Sequence, residues 1–256
     1  MKSKLIILGC GSSVGVPRVD GFWGNCDKNN KKNMRTRCSA VVIKGSNSIL
    51  IDTSPDLKMQ LLSNKIKQIS SVIFTHEHAD QTNGLFELRP FYWKYKKKIN
   101  IYGNLKTINH LERRQDYLFK KISVYPPIVK ANVINSRFSL GKLNEKIHFK
   151  TVQVKHGKTN SVIYIFEKTA YISDSNDLSI VKIKELQNLK YLIIDCLKIK
   201  KHPSHFNLKE AIHISQLLRA KKTILTNLHH DLDYNVLFNN LPKNIIPAYD
   251  GLKLYL

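Results

Sequence analysis

Acidic residues are scarce in this chain: 19 Asp and Glu stand against 42 Lys and Arg, a formal net charge of +23. An excess of that size raises nucleic acid as a partner. Only 8 of the basic residues are arginine, however, and clusters such as "KYKKK" (94–98) and "KIKK" (198–201) read as solvated lysine faces. They still attract a phosphate-bearing ligand over a Debye length of about 8–10 Å. Cysteine is also sparse. Cys10, Cys26, Cys38 and Cys196 form no CxxC pair, so the expectation is free thiols, with no disulfide framework and no structural zinc through Cys26 and Cys38. There is no apolar run of about 18 residues, which excludes a membrane-spanning helix. The first apolar stretch, "LIIL", stops at Gly9. It is too short for a signal-peptide core, and a soluble cytoplasmic protein is expected. Repeats, low-complexity tracts and Pro/Gly-rich boundaries are absent as well. With 42% hydrophobic residues, the chain can bury a sizeable core, and residues 1–256 are expected to form a single domain.

Short β-branched runs fill the chain: "KLIILG", "SAVVIKG", "SILIDTS", "SSVIFTH", "INIYG", "IHFKTVQVKH", "SVIYIFE", "TAYISDS", "KYLIIDC" and "KTILTNLHH". They predict strands, several buried on both faces. Helical spacing appears in "PDLKMQLLSN" (55–64), "DLSIVKIKELQNL" (177–189) and "NLKEAIHISQLLRA" (207–220). The last has Asn207 placed to cap it, Glu210 three residues later, and Leu208, Ala211, Ile212 and Leu218 as an apolar stripe. Strands with interspersed helices predict a layered α/β protein.

The residues that end the strands carry the chemistry. "SVIFT" runs into His76, "TVQVK" into His156, "AYIS" into Asp174 and "TILTNL" into His229. In open α/β sheets, ligands bind at the carboxyl ends of strands. In "FTHEHADQTNGL" (74–85), His76 and His78 alternate and can converge on one ion, and Asp80 can reach a second. Neutral imidazole and carboxylate are ligands that suit zinc and manganese. Asp52 ("LIDTS") and Asp195 ("LIIDC") also follow apolar strands, where a carboxylate can accept the second ring N–H of a ligand histidine; a turn or capping role fits them equally.

"GCGSSVGVP", "ILIDTSPD", "THEHADQTNGL", "VKHGKTNSVIY", "YISDSNDL", "LIIDCL" and "AYDG" occur in this order along nearly the whole chain. This ordered set resembles the metallo-β-lactamase superfamily, and within it the branch of the phosphoribosyl cyclic-phosphate diesterase, a cousin of ribonuclease Z. The resemblance implies a four-layer αββα sandwich with two divalent metals, Zn2+ or Mn2+, at one edge. It implies that His76, His78 and His156 hold the first metal, that Asp80 holds the second and orients the attacking water, and that Asp174 bridges both. It places His205, in "HPSHFNLKEA", as general acid, with His202 as the weaker candidate. It also gives the "GCGSSVGVP" loop a place near a phosphate, and Tyr249-Asp250-Gly251 either an edge role or a plain turn.

The chain departs from the family pattern twice. Gln81 stands where a histidine follows the aspartate in relatives: either its amide oxygen is a weak metal ligand, or the second site is lighter, or Gln81 only positions substrate. Asn227 stands where relatives end the strand in histidine, so the last ligand is assigned to His229, with His230 and Asn227 as alternatives. Both departures touch the second metal, which is expected to bind less tightly than the first. The function expected is a metal-dependent phosphodiesterase acting on a small nucleotide-like or cyclic phosphate ester. Ribonuclease Z-like processing of transfer RNA and a non-catalytic nucleotide-binding role are the alternatives. Exposed aromatics such as Phe22, Trp23, Phe91 and Trp93 allow a homodimer face or a pocket wall.

Overall fold

The computed structural model describes residues 2–256. Six strands come first: β1 (Lys4–Gly9), β2 (Ser39–Lys44), β3 (Asn47–Ile51), β4 (Ser71–Ile73), β5 (Ile99–Gly103) and β6 (Val129–Val133). Seven more follow: β7 (Arg137–Leu140), β8 (Ile147–His156), β9 (Thr159–Phe166), β10 (Thr169–Ile172), β11 (Tyr191–Asp195), β12 (Lys222–Thr226) and β13 (Ile245–Pro247). The last strand, β14 (Lys253–Tyr255), returns to pair with β1. The result is two seven-stranded sheets, ordered β14-β1-β2-β3-β4-β5-β6 and β13-β12-β11-β10-β9-β8-β7. The main helices are α1 (Leu57–Ser63), α2 (Ala79–Thr82), α3 (Arg89–Tyr95), α4 (Leu105–Arg114), α5 (Leu208–Leu218) and α6 (Tyr234–Asn240).

Strand alternation explains the layering. In β1, Leu5 and Ile7 join Ile49, Ile51, Phe149, Tyr164, Tyr171, Ile193 and Ile224 in a core between the two sheets. Ile6 and Leu8 point the other way, into a second core with Leu57 and Leu61 of α1 and Ile108 and Leu111 of α4. On the far side, Ile163, Ile172, Leu192 and Ile194 pack against Ala211, Ile214 and Leu218 of α5. Because both faces of each sheet are buried, the central strands read as continuous apolar runs rather than alternating ones. Helix, sheet, sheet, helix is the αββα sandwich expected.

Helix α5 forms where its capping signal stands: Asn207 accepts from the Glu210 N–H at 2.9 Å, and Glu210 accepts from the Asn207 N–H at 3.1 Å. The segment 177–189 differs from expectation. It makes two short 3-10 turns, Leu178–Lys182 and Lys184–Leu186, separated by Ile183 in an extended conformation. Ile180, Val181 and Ile183 are β-branched and lose rotamer freedom in a helix, and burying Ile180, Leu186 and Leu189 on the sheet does not require one.

Topology sets the site. Strands β3 to β6 run parallel, as do β10 to β13. Strand β8 is antiparallel to β9, which is antiparallel to β10, so β8 points the same way as β10. His156, Asp174, Asp195 and Asn227 therefore leave one edge of the second sheet, and Asp52 and His76 leave the ends of β3 and β4 in the first.

Candidate metal centre

Strand β4 stops at Ile73, so the turn after it carries His76 and His78 into the gap between the sheets. Their rings lie 4.5 Å apart, and both meet the His156 ring, at 4.9 and 5.0 Å. Two of the three imidazoles, His76 and His156, are aimed by a partner. The Thr75 hydroxyl lies 2.8 Å from Asp52 Oδ2 and donates to it, which leaves Thr75 Oγ1 to accept from His76 Nδ1 at 3.0 Å. His76 Nε2 is then buried with no hydrogen-bond partner. His156 Nδ1 lies 2.7 Å from the Ser204 carbonyl and donates to it. This leaves His156 Nε2 facing His78 Nδ1 at 3.3 Å. Two ligands about 2.05 Å from a tetrahedral zinc would sit about 3.3 Å apart. Burial pushes the His76 pKa down to about 3, against the pull of Asp174, so its imidazole is neutral. Asp174 Oδ1 completes the set, 4.0 Å from His156 Nε2. Ring nitrogens, one of them orphaned in the interior, beside a buried carboxylate fit a divalent metal.

Gly157 allows part of this. Its φ is +59°, and a Cβ there would come within 2.9 Å of the Ser204 side chain, the residue whose carbonyl fixes His156.

Around the cluster the expected residues divide. Asp80 and Gln81 open α2, and Gln81 is fully buried between Asp80 and Asp174, with Nε2 at 3.3 Å from an oxygen of each. Burial first, and then the Asp174 charge, push the Asp80 carboxyl up to about 6. His205 enters from the loop before α5. Its Nδ1 lies 2.8 Å from Asp195 Oδ2, and its ring lies 4.7 Å from that of His156. Burial opposes its protonation, but the Asp195 carboxylate overcomes this and lifts the pKa to about 9. His156, Asp174 and His205 can themselves offer donor atoms to one point. Asp195 thus orients His205 and not a histidine of the three-ring cluster, while Asp52 acts on His76 through Thr75. Neither Thr75 nor the Ser204 carbonyl was expected; nothing in their sequence neighbourhood marks them beyond adjacency to the histidines.

His229 is a correction. It joins neither donor group; its Nδ1 lies 2.8 Å from Asp231, and its ring centre lies 3.6 Å from that of His230, tilted by 38°. The expectation assumed extended alternation from Asn227 to His229. Asn227 has a φ of +61°, a left-handed turn that ends the alternation. His230 packs its ring on Phe22 instead, at 5.0 Å. Asn227 itself stays in the site. Its Nδ2 faces Ser173 O at 3.3 Å, Asp174 Oδ1 at 3.3 Å and Asp195 Oδ1 at 3.1 Å.

One loop expectation changes, and of the two readings of Tyr249-Asp250-Gly251 the turn is the one observed. The N–H groups of Gly11, Ser12, Gly15 and Val16 donate to protein carbonyls, so the glycine-serine loop braces the site rather than offering them to a phosphate. Asp250 accepts from the N–H groups of Cys10 and Thr36 at 3.1 and 2.8 Å, and from the Thr36 hydroxyl at 2.6 Å. It pins the C-terminal turn to that loop.

A cavity of about 540 Å³ opens beside the His78–Asp80 turn, lined by Ala79, Thr82, Phe86, His110, Arg113, Arg114 and Tyr117 among others. A larger one, about 670 Å³, lies at the amino end of β8, around Phe138, His148 and Phe149. It contains neither donor group.

This architecture and donor set define the metal-dependent hydrolases of the metallo-β-lactamase fold. Residues 47–229 match the Beta-lactamase superfamily domain, and the chain belongs to that family. It is similar over its whole length to a solved diphosphatase of the PhnP family, at 31% identity and a TM-score of 0.89, covering 98% of that chain. It shares its fold with zinc-bound PqqB from Methylobacterium extorquens, at 16% identity and a TM-score of 0.78, over 99% of this chain and 100% of that one. The same holds for the short form of human tRNase Z, at 17% identity and a TM-score of 0.70, over 98% of each chain. A curated protein of Porphyromonas gingivalis described as an octanoyltransferase is 30% identical over 98% of this chain. The chain spans about half the length of that relative, 51%. No helix among the described residues is long and apolar enough to cross a membrane.

Proposed function

We propose that this protein is a metal-dependent phosphodiesterase acting on a small nucleotide-like or cyclic phosphate ester. The observation that carries the reading is the meeting of three imidazoles, two of them aimed by partners, and Asp174 with a proton-bearing His205 at one sheet edge. His76, His78, His156 and Asp174 would hold the first divalent ion, and Asp80 with Asp174 the second. Such ions supply electrophilic chemistry: they neutralise charge on phosphoryl oxygens and acidify water. The chain's own groups do the rest. Asp80 orients the attacking water and accepts its proton. His205, held at Nδ1 by Asp195, presents Nε2 and donates its proton to the leaving oxygen. Arg113 and Arg114 in the adjoining cavity attract an anionic substrate. The similarity to a PhnP-family diphosphatase supports phosphoryl chemistry and adds phosphoanhydrides to the candidates.

The test is a substrate panel with added Zn2+ or Mn2+: bis-p-nitrophenyl phosphate, a ribose cyclic phosphate, a dinucleoside diphosphate and a transfer RNA precursor. Turnover of small esters, abolished by His78→Ala, is expected. Cleavage confined to the precursor RNA would move the reading to transfer RNA processing. No turnover of any of them would leave a binding protein.

A further inference from the structure

We propose that Gln81 offers its amide oxygen to the second cation position, making that position an all-oxygen site that selects a hard ion, Mg2+ or Mn2+, over Zn2+. The inference rests on the metal-centre reading above but not on the identity of the substrate.

Gln81 is fully buried, so its amide must be satisfied by protein or ligand. With Nε2 toward Asp80 Oδ2 and Asp174 Oδ2, 3.3 Å from each, the amide oxygen is pressed toward two acceptors, Asp52 Oδ2 and the Cys38 carbonyl. Turned over, Nε2 donates to both of these, at 3.1 and 3.3 Å. The turned orientation satisfies the nitrogen and aims Oε1 at the two carboxylates. Oxygens of buried Gln81 and Asp174 and of half-buried Asp80 then face one another, an arrangement that a cation between them makes favourable.

The neighbouring amide behaves differently. Asn227 Nδ2 faces three acceptors, Ser173 O, Asp174 Oδ1 and Asp195 Oδ1, and one ring nitrogen, His205 Nδ1 at 3.1 Å. Its nitrogen, not its oxygen, therefore faces the carboxylates, and it contributes no ligand. By holding Asp174 Oδ1 it leaves Oδ2 for the second position. What remains there is Asp80, Asp174 and the Gln81 oxygen, with water filling the other places. Mg2+ and Mn2+ accept a few carboxylate or carbonyl oxygens plus water, whereas zinc is drawn to imidazole nitrogen, which the first position supplies.

The test is binding, read without turnover. The protein is loaded with zinc, its metal content is measured, and Mn2+ is then titrated while the electron paramagnetic resonance signal of free Mn2+ is followed. One retained zinc and one further Mn2+ per chain are expected. Gln81→Leu should keep the zinc and weaken Mn2+ about ten-fold or more. Gln81→Glu, which keeps the shape and adds charge, should tighten Mn2+, and Gln81→His should let a second zinc replace it. Wild-type protein that binds zinc but no Mn2+, that takes two zincs in preference, or whose Mn2+ affinity is unchanged in both Gln81→Leu and Gln81→Glu would overturn the proposal while leaving the first site standing. Protein that binds no zinc would overturn the metal-centre reading, and this proposal with it.

Discussion

Asp195 and His205 face each other across 2.8 Å at the carboxyl end of β11, both largely withdrawn from water. The contact decides the charge of the imidazole. Burial alone would favour the neutral ring, and the carboxylate reverses that, to a pKa of about 9. The group's pKa is raised, so its proton is present below that value and lost as pH rises through it. The rate that depends on His205 as acid should therefore fall on the alkaline side near pH 9. Asp195→Asn should move that limb toward the ordinary histidine value and lower the maximum rate; a kcat–pH profile of the two proteins reads both effects.

Removing His205 should affect substrates unequally. A general acid contributes about 10²–10⁴-fold when the leaving oxygen needs a proton. His205→Ala should lose that much on an alkyl phosphodiester and little on bis-p-nitrophenyl phosphate, whose leaving group departs as a stable anion. Equal losses on both would make His205 a structural or ligand group instead.

Gly157→Ala tests how the His156 ring is aimed. The new Cβ would crowd Ser204 at 2.9 Å and sit at a φ of +59°, a strain of about 1–3 kcal/mol. Displacing the Ser204 carbonyl from His156 Nδ1 should weaken zinc binding about 10–100-fold. Competition with a zinc-selective dye measures the affinity, and thermal denaturation measures the strain.

Asp250 ties four donors from two segments together, so Asp250→Ala leaves the Cys10 N–H and thiol and the Thr36 N–H and hydroxyl without their acceptor. A loss of about 2–4 kcal/mol in stability is expected, with less for Asp250→Asn. The pH dependence has a definite sign. Burial raises this carboxyl from 3.8 to about 6 in the folded protein. The folded state holds the proton more tightly, and the contribution of this group to stability declines as pH rises from about 4 through 6. Denaturation midpoints of wild type and Asp250→Asn, compared at pH 4.5 and 7.5, should differ in that direction.

Much of this architecture is written locally. Strands β1 and β8 occupy "KLIILG" and "IHFKTVQVKH" residue for residue, because buried β-branched runs need little tertiary information. The capping box of α5 is equally local. Helix α4 had a readable signal that went unused: Asn104 accepts from the Thr107 N–H at 2.8 Å, with Ile108 and Leu111 one turn apart on the buried face. The site was legible where residues end strands, as at His76, His156 and Asp174. It was not legible where one backbone angle redirects the chain, as Asn227 does for His229. Nor was it legible where partners meet through the fold alone, as Asp52 reaches His76 through Thr75 and Asp195 reaches His205.

The most direct test of the account is phosphodiester turnover by protein stripped of metal and then resupplied with Zn2+ or Mn2+, compared between wild type and His156→Ala. The account predicts no turnover after stripping, recovery in the wild type and none in the variant. Turnover that survives stripping, or that returns in His156→Ala to the wild-type level, would contradict it.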